Sequence, residues 1–405
     1  MIMMADKVLE WLYVGIDISK KTFDICMMHA DGRVSKTLQI TSDRQGFAKL
    51  VKYLPASTDP VFCMENTGPL AGNLVFYLKE RGYDCMLSNP FEVSRLRDAF
   101  SASVKNDVID AFVLAQAARM GVLKHSSKEF EYIYLQDILE RYFDLKDRRT
   151  ALINQLHANL VQTFPEIGEV FSNIGCKAAT AILLHYPTPT SLEGVESADL
   201  RELVRVAGGR ITQKKLELLL QARTTSVAWK QTEVHGRILQ SQVRELQILT
   251  QEIDMIQNLL DEYTSDKFPA EIQVLQSVPG ISQITASQLL AVVGDHHRFD
   301  PKHDGRGSKR LSAFAGFGVR EYSSGPRKLK SGISKRGNSR LRGLLFMAAF
   351  SAIKTDAGIA EIYEYKKERG GGKKATVSIS HLLLRRCYGV LKTGKNYNPA
   401  IPMAG

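Results

Sequence analysis

Four acids stand where a folded chain could gather them. Asp17 lies near the end of the apolar run "YVGIDIS", Glu65 ends "VFCME", and Asp107 and Asp110 open "DVIDAFVLAQAARMG". The first two runs read as buried strands and the third as a helix, so Asp107 and Asp110, three apart, share one helix face. Two strand ends and one helix start can converge on a single point. Carboxylate oxygens are hard ligands suited to Mg2+ or Mn2+. A pair of such ions can hold the attacking and leaving oxygens of a phosphoryl displacement. Singly, the acids have plainer uses: Asp17 and Asp107 are good helix caps, and Glu65 before "NTG" suits a turn. Lys105, just ahead of the third run, can screen the acids or touch a phosphate. Together, the four acids point to a divalent-metal site for nucleic acid phosphates.

The elements that must position these acids follow from periodicity. "YVGIDIS", "TFDICMMHA" and "KTLQI" predict a three-strand meander. "DRQGFAKLVKYL" and "GPLAGNLVFYLKERG" predict helices, with "VFCME" and "DCMLS" as further strands. Three antiparallel strands followed by alternating strands and helices make an α/β domain with a mixed sheet. Beyond it the pattern turns helical. Leu135, Ile138, Tyr142, Leu145, Leu152 and Leu156 stripe one long helix. Leu239, Val243, Leu246, Ile253, Ile256, Leu260 and Tyr263 stripe another, and the two predict a coiled-coil pair. Residues 166–227 between them hold loops and helical stretches and read as a spacer or interaction module. Residues 271–294 read as a helix-hairpin-helix about Pro279-Gly280, whose turn amides can hold a phosphate. Residues 300–374 carry 18 Lys/Arg against 7 Asp/Glu, broken by Gly and Ser, and read as a flexible phosphate-facing surface. "VSISHLLLRRCYGVLKTG" predicts a last helix. The fold class is therefore α/β plus α.

Composition agrees with a polyanionic partner. The 405 residues carry a net charge of +11, with a solvated cationic surface as the plainer reading. Cys26, Cys63, Cys85, Cys176 and Cys387 are scattered without a C-x-x-C pair, which argues against a zinc ribbon or disulfide framework. No apolar run approaches the ~20 residues of a membrane span. The expected location is the cytoplasm.

"GIDISKKTFDICMMHADGR", "MENTGPLAGNLVFYLKERGYDCMLSNP" and "KNDVIDAFVLA" resemble the DEDD transposases of bacterial insertion sequences. Relatives of that family include Piv-type DNA invertases and bridge-RNA-guided recombinases. "SVPGISQITASQLLAVVGD", "LSAFAGFGVREYSSG" and "GISKRGNSRLRGLLFMAA" resemble its C-terminal transposase domain. The resemblance implies three parts. Residues 1–125 would be a RuvC-like (RNase H-type) DEDD catalytic domain. Residues 126–268 would be a coiled-coil linker with its insert at 166–227, and residues 269–405 a mostly helical transposase domain.

Asp17, Glu65, Asp107 and Asp110 match the four family acids, and the resemblance makes them catalytic and metal-binding. The serine before glycine in "EYSSG", Ser324, matches the family's nucleophile, with Ser323 as the neighbour easily confused with it. On residues alone, a Ser-Gly pair is more often a turn. The implied activity is a DNA transposase or recombinase that cuts and rejoins strands through a covalent phosphoserine, with Mg2+ or Mn2+. The implied partners are double-stranded donor and target DNA, a guide (bridge) RNA, and further copies in a homodimer or tetramer with shared active sites. Lys20, Lys21, Arg95, Arg97 and Lys105 are candidate nucleic-acid contacts in the first domain. Arg320, Lys328, Lys330, Lys335, Arg336, Arg340 and Arg342 are candidates in the last. The middle section is longer than in the shorter guide-RNA users. The competing readings are a Piv-type invertase, a junction-resolving nuclease that activates water, and a non-catalytic nucleic-acid binder.

Overall fold

Strands buried on both faces read as near-continuous apolar runs rather than alternating ones, and that is how the inner strands of the first sheet are built. A computed structural model describes residues 10–65, 69–88, 107–121, 130–301, 303–324 and 327–399. The chain divides into two units, Met1–Lys128 and Glu129–Gly405.

In the first unit, β1 (Glu10–Ile18), β2 (Thr22–His29) and β3 (Val34–Thr41) form an antiparallel meander. Then come α1 (Arg44–Lys52), β4 (Thr58–Glu65), α2 (Pro69–Lys79), β5 (Asp84–Ser88) and α3 (Asp107–Arg119). The sheet order is β3-β2-β1-β4-β5, with β4 parallel to β1 and β5 parallel to β4. One face carries Val14, Ile16, Phe23, Phe62 and Met64, packed with Phe47 and Leu50 of α1 and Leu74 and Leu78 of α2. The other face takes α3: Ala111 and Ala115 join Cys26 and Met28, while Ala117 and Ala118 join Val61, Cys63 and Met86. Small residues on the helix, and glycine at position 15 beneath it, let α3 lie close to the sheet. Four cysteines are buried small hydrophobes, as their scatter suggests; burial pushes the Cys26 thiol up to about 11.

Among its described residues the second unit is helical apart from one hairpin. Its long helices α4 (Phe130–Thr163) and α9 (Glu233–Lys267) run antiparallel. Tyr263 Oη donates to Glu131 O (3.1 Å), Arg149 Nε to Thr250 Oγ1 (3.2 Å) and Asn159 Nδ2 to Gln242 Oε1 (2.8 Å). Positions rise on one helix as they fall on the other. Between them lie α5 (Glu166–Val170), α6 (Lys177–His185), α7 (Ser197–Val206) and α8 (Gln213–Thr225). These helices close a core of their own with the distal ends of α4 and α9, through Phe164, Ile182, Leu200, Leu219 and Leu239.

A second core joins the proximal ends of the long helices to the C-terminal elements. These are α10 (Pro269–Gln276), α11 (Gln283–Val293), α12 (Gly307–Phe314), β6 (Val319–Ser324), β7 (Arg327–Ile333), α13 (Ser339–Thr355), α14 (Ala357–Gly370) and α15 (Gly372–Thr393). The α10–α11 turn contains Gly280 at φ +80°, and a Cβ there would lie 2.3 Å from Ala348 O of α13. Packing against α13 therefore already requires that glycine. Among the described residues no single helix is long and apolar enough to cross a membrane. The successive helices α13 and α14 are bent by 112°, and Leu341, Leu345, Ala349 and Ile359 from them are core residues.

A half-buried histidine is expected to give this core a pH dependence. His381 Nε2 is 2.8 Å from Ser312 Oγ, and its ring stacks on Phe317. Ser312 Oγ donates to Ser308 O (2.8 Å), so its proton is committed and the imidazole N–H donates to it. Burial, then Arg385 and Lys366, hold the His381 pKa below its ordinary value. His296 is shifted the same way, first by burial. In the unfolded chain these groups take up protons at a higher pH than in the fold. Their contribution is thus present above about pH 6.5 and lost as pH falls from there through the folded values. The thermal midpoint is expected to drop between about pH 7 and 5. His381→Gln should flatten that slope in a calorimetric pH series, and an unchanged slope would count against the assignment.

Candidate active site

Strand register assembles a polar row across the first sheet. Gln39 of β3 pairs with Asp24 of β2, and Asp24 pairs with Asp17 of β1. The parallel register that sets Gly15 beside Cys63 and Ile16 beside Met64 brings Asp17 level with Glu65 of β4. Glu65 in turn pairs with Ser88 of β5. Directly paired residues project to the same face, here the one shared with Gly15, Cys26 and Cys63 and covered by α3. Asp17 and Glu65 are half-buried; Asp24 is 8 % exposed and Ser88 2 %. The Ser88 hydroxyl donates to Met64 O at 3.2 Å, leaving the carboxylates as the charged members of the row.

Helix α3 brings its start to the same place. A Cβ on Gly15 would meet Ala111 O and Ala115 N. Farther along the helix, Arg119 Nη1 donates to Ala30 O at 3.3 Å beside the β2–β3 turn. The helix therefore runs opposite to β1. From Gly15 to Asp17 is about 6.7 Å of strand, matched by four to five helix residues at ~1.5 Å each. That brings the first turn of α3, which begins at Asp107, level with the row. Asp110 is 5 % exposed. The positive end of the α3 dipole offsets part of the repulsion among the acids. Three of the four acids singled out in the sequence are thus gathered with the helix start that carries the fourth. Asp24 was missed; its signal was an acid inside the apolar strand "TFDICMM", a position acids seldom take unless partnered.

The basic candidates divide by environment. Lys20 and Lys21 are exposed in the β1–β2 turn, closed by Ser19 N donating to Thr22 O at 3.1 Å. Arg95, Arg97 and Lys105 lie outside the described residues. Arg320, Lys328 and Lys330 belong to the β6–β7 hairpin, where Arg320 pairs with Ser331, Glu321 with Lys330, Ser323 with Lys328 and Ser324 with Arg327. The segment expected as flexible loop is therefore a hairpin, because backbone hydrogen bonds between the strands fix it whatever its charge. Ser324 is the last residue of β6. Lys335 and Arg336 are exposed just past β7. Arg340 Nη2 donates to Asp147 Oδ2 (3.0 Å), and its guanidinium lies over the Phe143 ring. Arg342 Nη1 donates to Ala315 O at 2.9 Å. Asp295, His296 and His297 also offer ligand atoms within 4.8 Å of one another, but Asp295 already caps their turn by accepting from His297 N.

Two family models match the sequence. One, of the DEDD IS110 type and described as a transposase, covers residues 14–165. The other, described as the transposase IS116/IS110/IS902 family, covers residues 272–364. An uncharacterized insertion element IS116 protein from Streptomyces clavuligerus is 25 % identical over 97 % of both chains. The transposase for insertion sequence element IS1111A from Coxiella burnetii is 26 % identical, over 84 % of this chain and 78 % of its own. A pilin gene-inverting protein from Moraxella lacunata is 22 % identical, over 96 % of this chain and 98 % of its own.

Proposed function

Since the chain belongs to the DEDD transposase family of insertion sequences and is a DNA transposase or recombinase, we propose that it cuts and rejoins DNA through Ser324, with Asp17, Glu65, Asp107 and Asp110 holding Mg2+ or Mn2+. The observation that carries the proposal is the row of carboxylates on adjacent strands, with Asp110 buried on the helix that covers it. Its donor set is all oxygen and partly open to solvent, which fits Mg2+ or Mn2+ better than a softer metal. The sheet order, with an antiparallel meander continued by two parallel strands, supports a RuvC-like reading of the first domain. The antiparallel α4–α9 pair supports a coiled-coil reading of the middle.

When bound, the divalent ions neutralise phosphate charge and favour the ionised form of an oxygen they touch. A serine hydroxyl is a weak nucleophile at neutral pH and needs such help. Ser324 Oγ forms a bond to phosphorus as one phosphorus–oxygen ester bond to sugar breaks. The serine proton leaves, and the departing sugar oxygen takes one up. Because the phosphoester is kept on the protein, the reverse attack by a new strand end rejoins DNA without ATP. Lys20, Lys21, Arg95, Arg97, Lys105, Arg320, Lys328, Lys330, Lys335, Arg336, Arg340 and Arg342 are assigned to backbone phosphates, which set register rather than sequence. Sequence choice is assigned to a guide RNA paired with donor and target DNA. The working assembly is a homodimer or tetramer in which one copy's acids serve another's Ser324.

Labelled donor and target DNA, incubated with the purified chain, its copurifying RNA and Mg2+, should yield a detergent-stable protein–DNA adduct. Mass spectrometry should place that adduct on Ser324, and Ser324→Ala should abolish it. Cutting without an adduct, unchanged in Ser324→Ala, would instead favour a junction-resolving nuclease. Mixing Asp17→Ala with Ser324→Ala chains should restore activity; no recovery at any ratio would reject sharing between subunits. The pilin gene-inverting relative favours a second outcome, inversion, which a substrate with two inverted sites would register.

A further inference from the structure

We infer that Asp24, oriented by Gln39, is a positioning carboxylate of the proposed metal site; this rests on the metal-binding reading of Asp17 and Glu65. Asp24 is the direct cross-strand partner of Asp17 and lies on the same face of the sheet. At 8 % exposed it is a buried acid one pair from the end of the β1–β2 ladder. Burying a carboxylate is costly unless it is hydrogen-bonded or paired, and setting it opposite a second carboxylate adds repulsion. A fold that needed only strand pairing here would be better served by an apolar residue. Yet Asp24 is held in place: Gln39 Nε2 donates to Oδ1 at 3.0 Å and to Oδ2 at 3.2 Å.

Gln39 comes from the neighbouring strand, directly paired with Asp24, and is itself exposed. One amide group shared between two oxygens fixes the carboxylate plane but leaves most of its acceptor sites unused. A fixed carboxylate acceptor beside Asp17 suits the hydration shell of a divalent ion. Mg2+ in particular keeps several waters and takes only one or two carboxylates directly. Asp24 thus acts through the shell and through Asp17, as outer partners of metal sites do. Gln39 in turn acts through Asp24.

The test is Mn2+ binding by calorimetry to the full-length chain without nucleic acid, alongside the thermal midpoint of the metal-free protein. Asp24→Asn is expected to weaken Mn2+ about tenfold, within the range for second-layer partners, with a midpoint equal to or above wild type. Gln39→Leu, an exposed change that leaves the carboxylate in place, should weaken Mn2+ by about threefold, in the same direction but less. A lowered midpoint with unchanged Mn2+ affinity in both variants would make the pair a strand-pairing device and overturn the inference. Asp17→Asn separates the two readings. If it abolishes binding while Asp24→Asn has no effect, only the inference fails. If wild type and Asp17→Asn are equally unresponsive to Mn2+, the metal-site reading fails and takes the inference with it.

Discussion

Asp17→Asn is expected to lower strand cleavage about a thousandfold while the chain stays folded and bound to DNA. Asp17 sits on the central strand of five, level with Asp24 on one side and Glu65 on the other. No other residue of the row has acids on both flanks. The amide is the same size as the carboxylate, so packing beneath α3 is preserved and what is lost is charge and ligand strength. Divalent ions contribute several kcal/mol to phosphoryl displacement. At about 1.36 kcal/mol per tenfold, losing ~4 kcal/mol of that gives the thousandfold. The thermal midpoint should hold or rise, since one like-charge contact disappears. Single-turnover cleavage of labelled DNA checks the rate, and a gel shift checks binding. A rate within tenfold of wild type would remove Asp17 from the chemistry, whatever the family suggests.

Acids at the ends of apolar strands were legible because burial and charge conflict there, and the conflict is visible in "GIDIS" and "FCME". Their alignment was not legible. It depends on the β1–β2 turn and on a parallel register between β1 and β4 that are 40 residues or more apart in the chain. The same gap hid Asp24, whose meaning comes only from standing opposite Asp17. The β6–β7 hairpin was hidden for another reason: "VREYSS" and "RKLKSGI" are too polar to show the pattern of a buried strand, and their pairing is a matter of backbone register. Charge counting could mark residues 300–374 as basic but could not tell its arginines apart. Arg340 reaches Asp147, 193 positions away in the chain, whereas Arg342 is engaged by the nearby Ala315 carbonyl. The long helices were legible from their stripes. That the insert between them closes its own core was not, because Leu200 and Leu219 find Leu239 and Phe164 only in three dimensions.

The second large effect is expected at a residue with no chemistry of its own. In Gly15→Ala the new Cβ would stand 2.0 Å from Ala111 O and 2.5 Å from Ala115 N, both backbone atoms of α3. Backbone cannot rotate aside as a side chain can, so the helix must move off the sheet, carrying Asp107 and Asp110 with it. Overpacking of this kind costs about 3 kcal/mol. A displacement of about 1 Å at a reacting site can cost a hundredfold in rate. Stability and cleavage should therefore fall together. Gly46→Ala tells whether the second follows merely from the first. Its Cβ would lie 2.1 Å from Thr41 O, an equally tight contact, but on α1 and against the opposite face of the sheet. It should lower stability by a similar amount in urea and leave Mn2+ affinity and cleavage per folded molecule within about threefold of wild type. If the two substitutions reduce Mn2+ affinity equally, the seating of α3 on Gly15 is not what sets the acids.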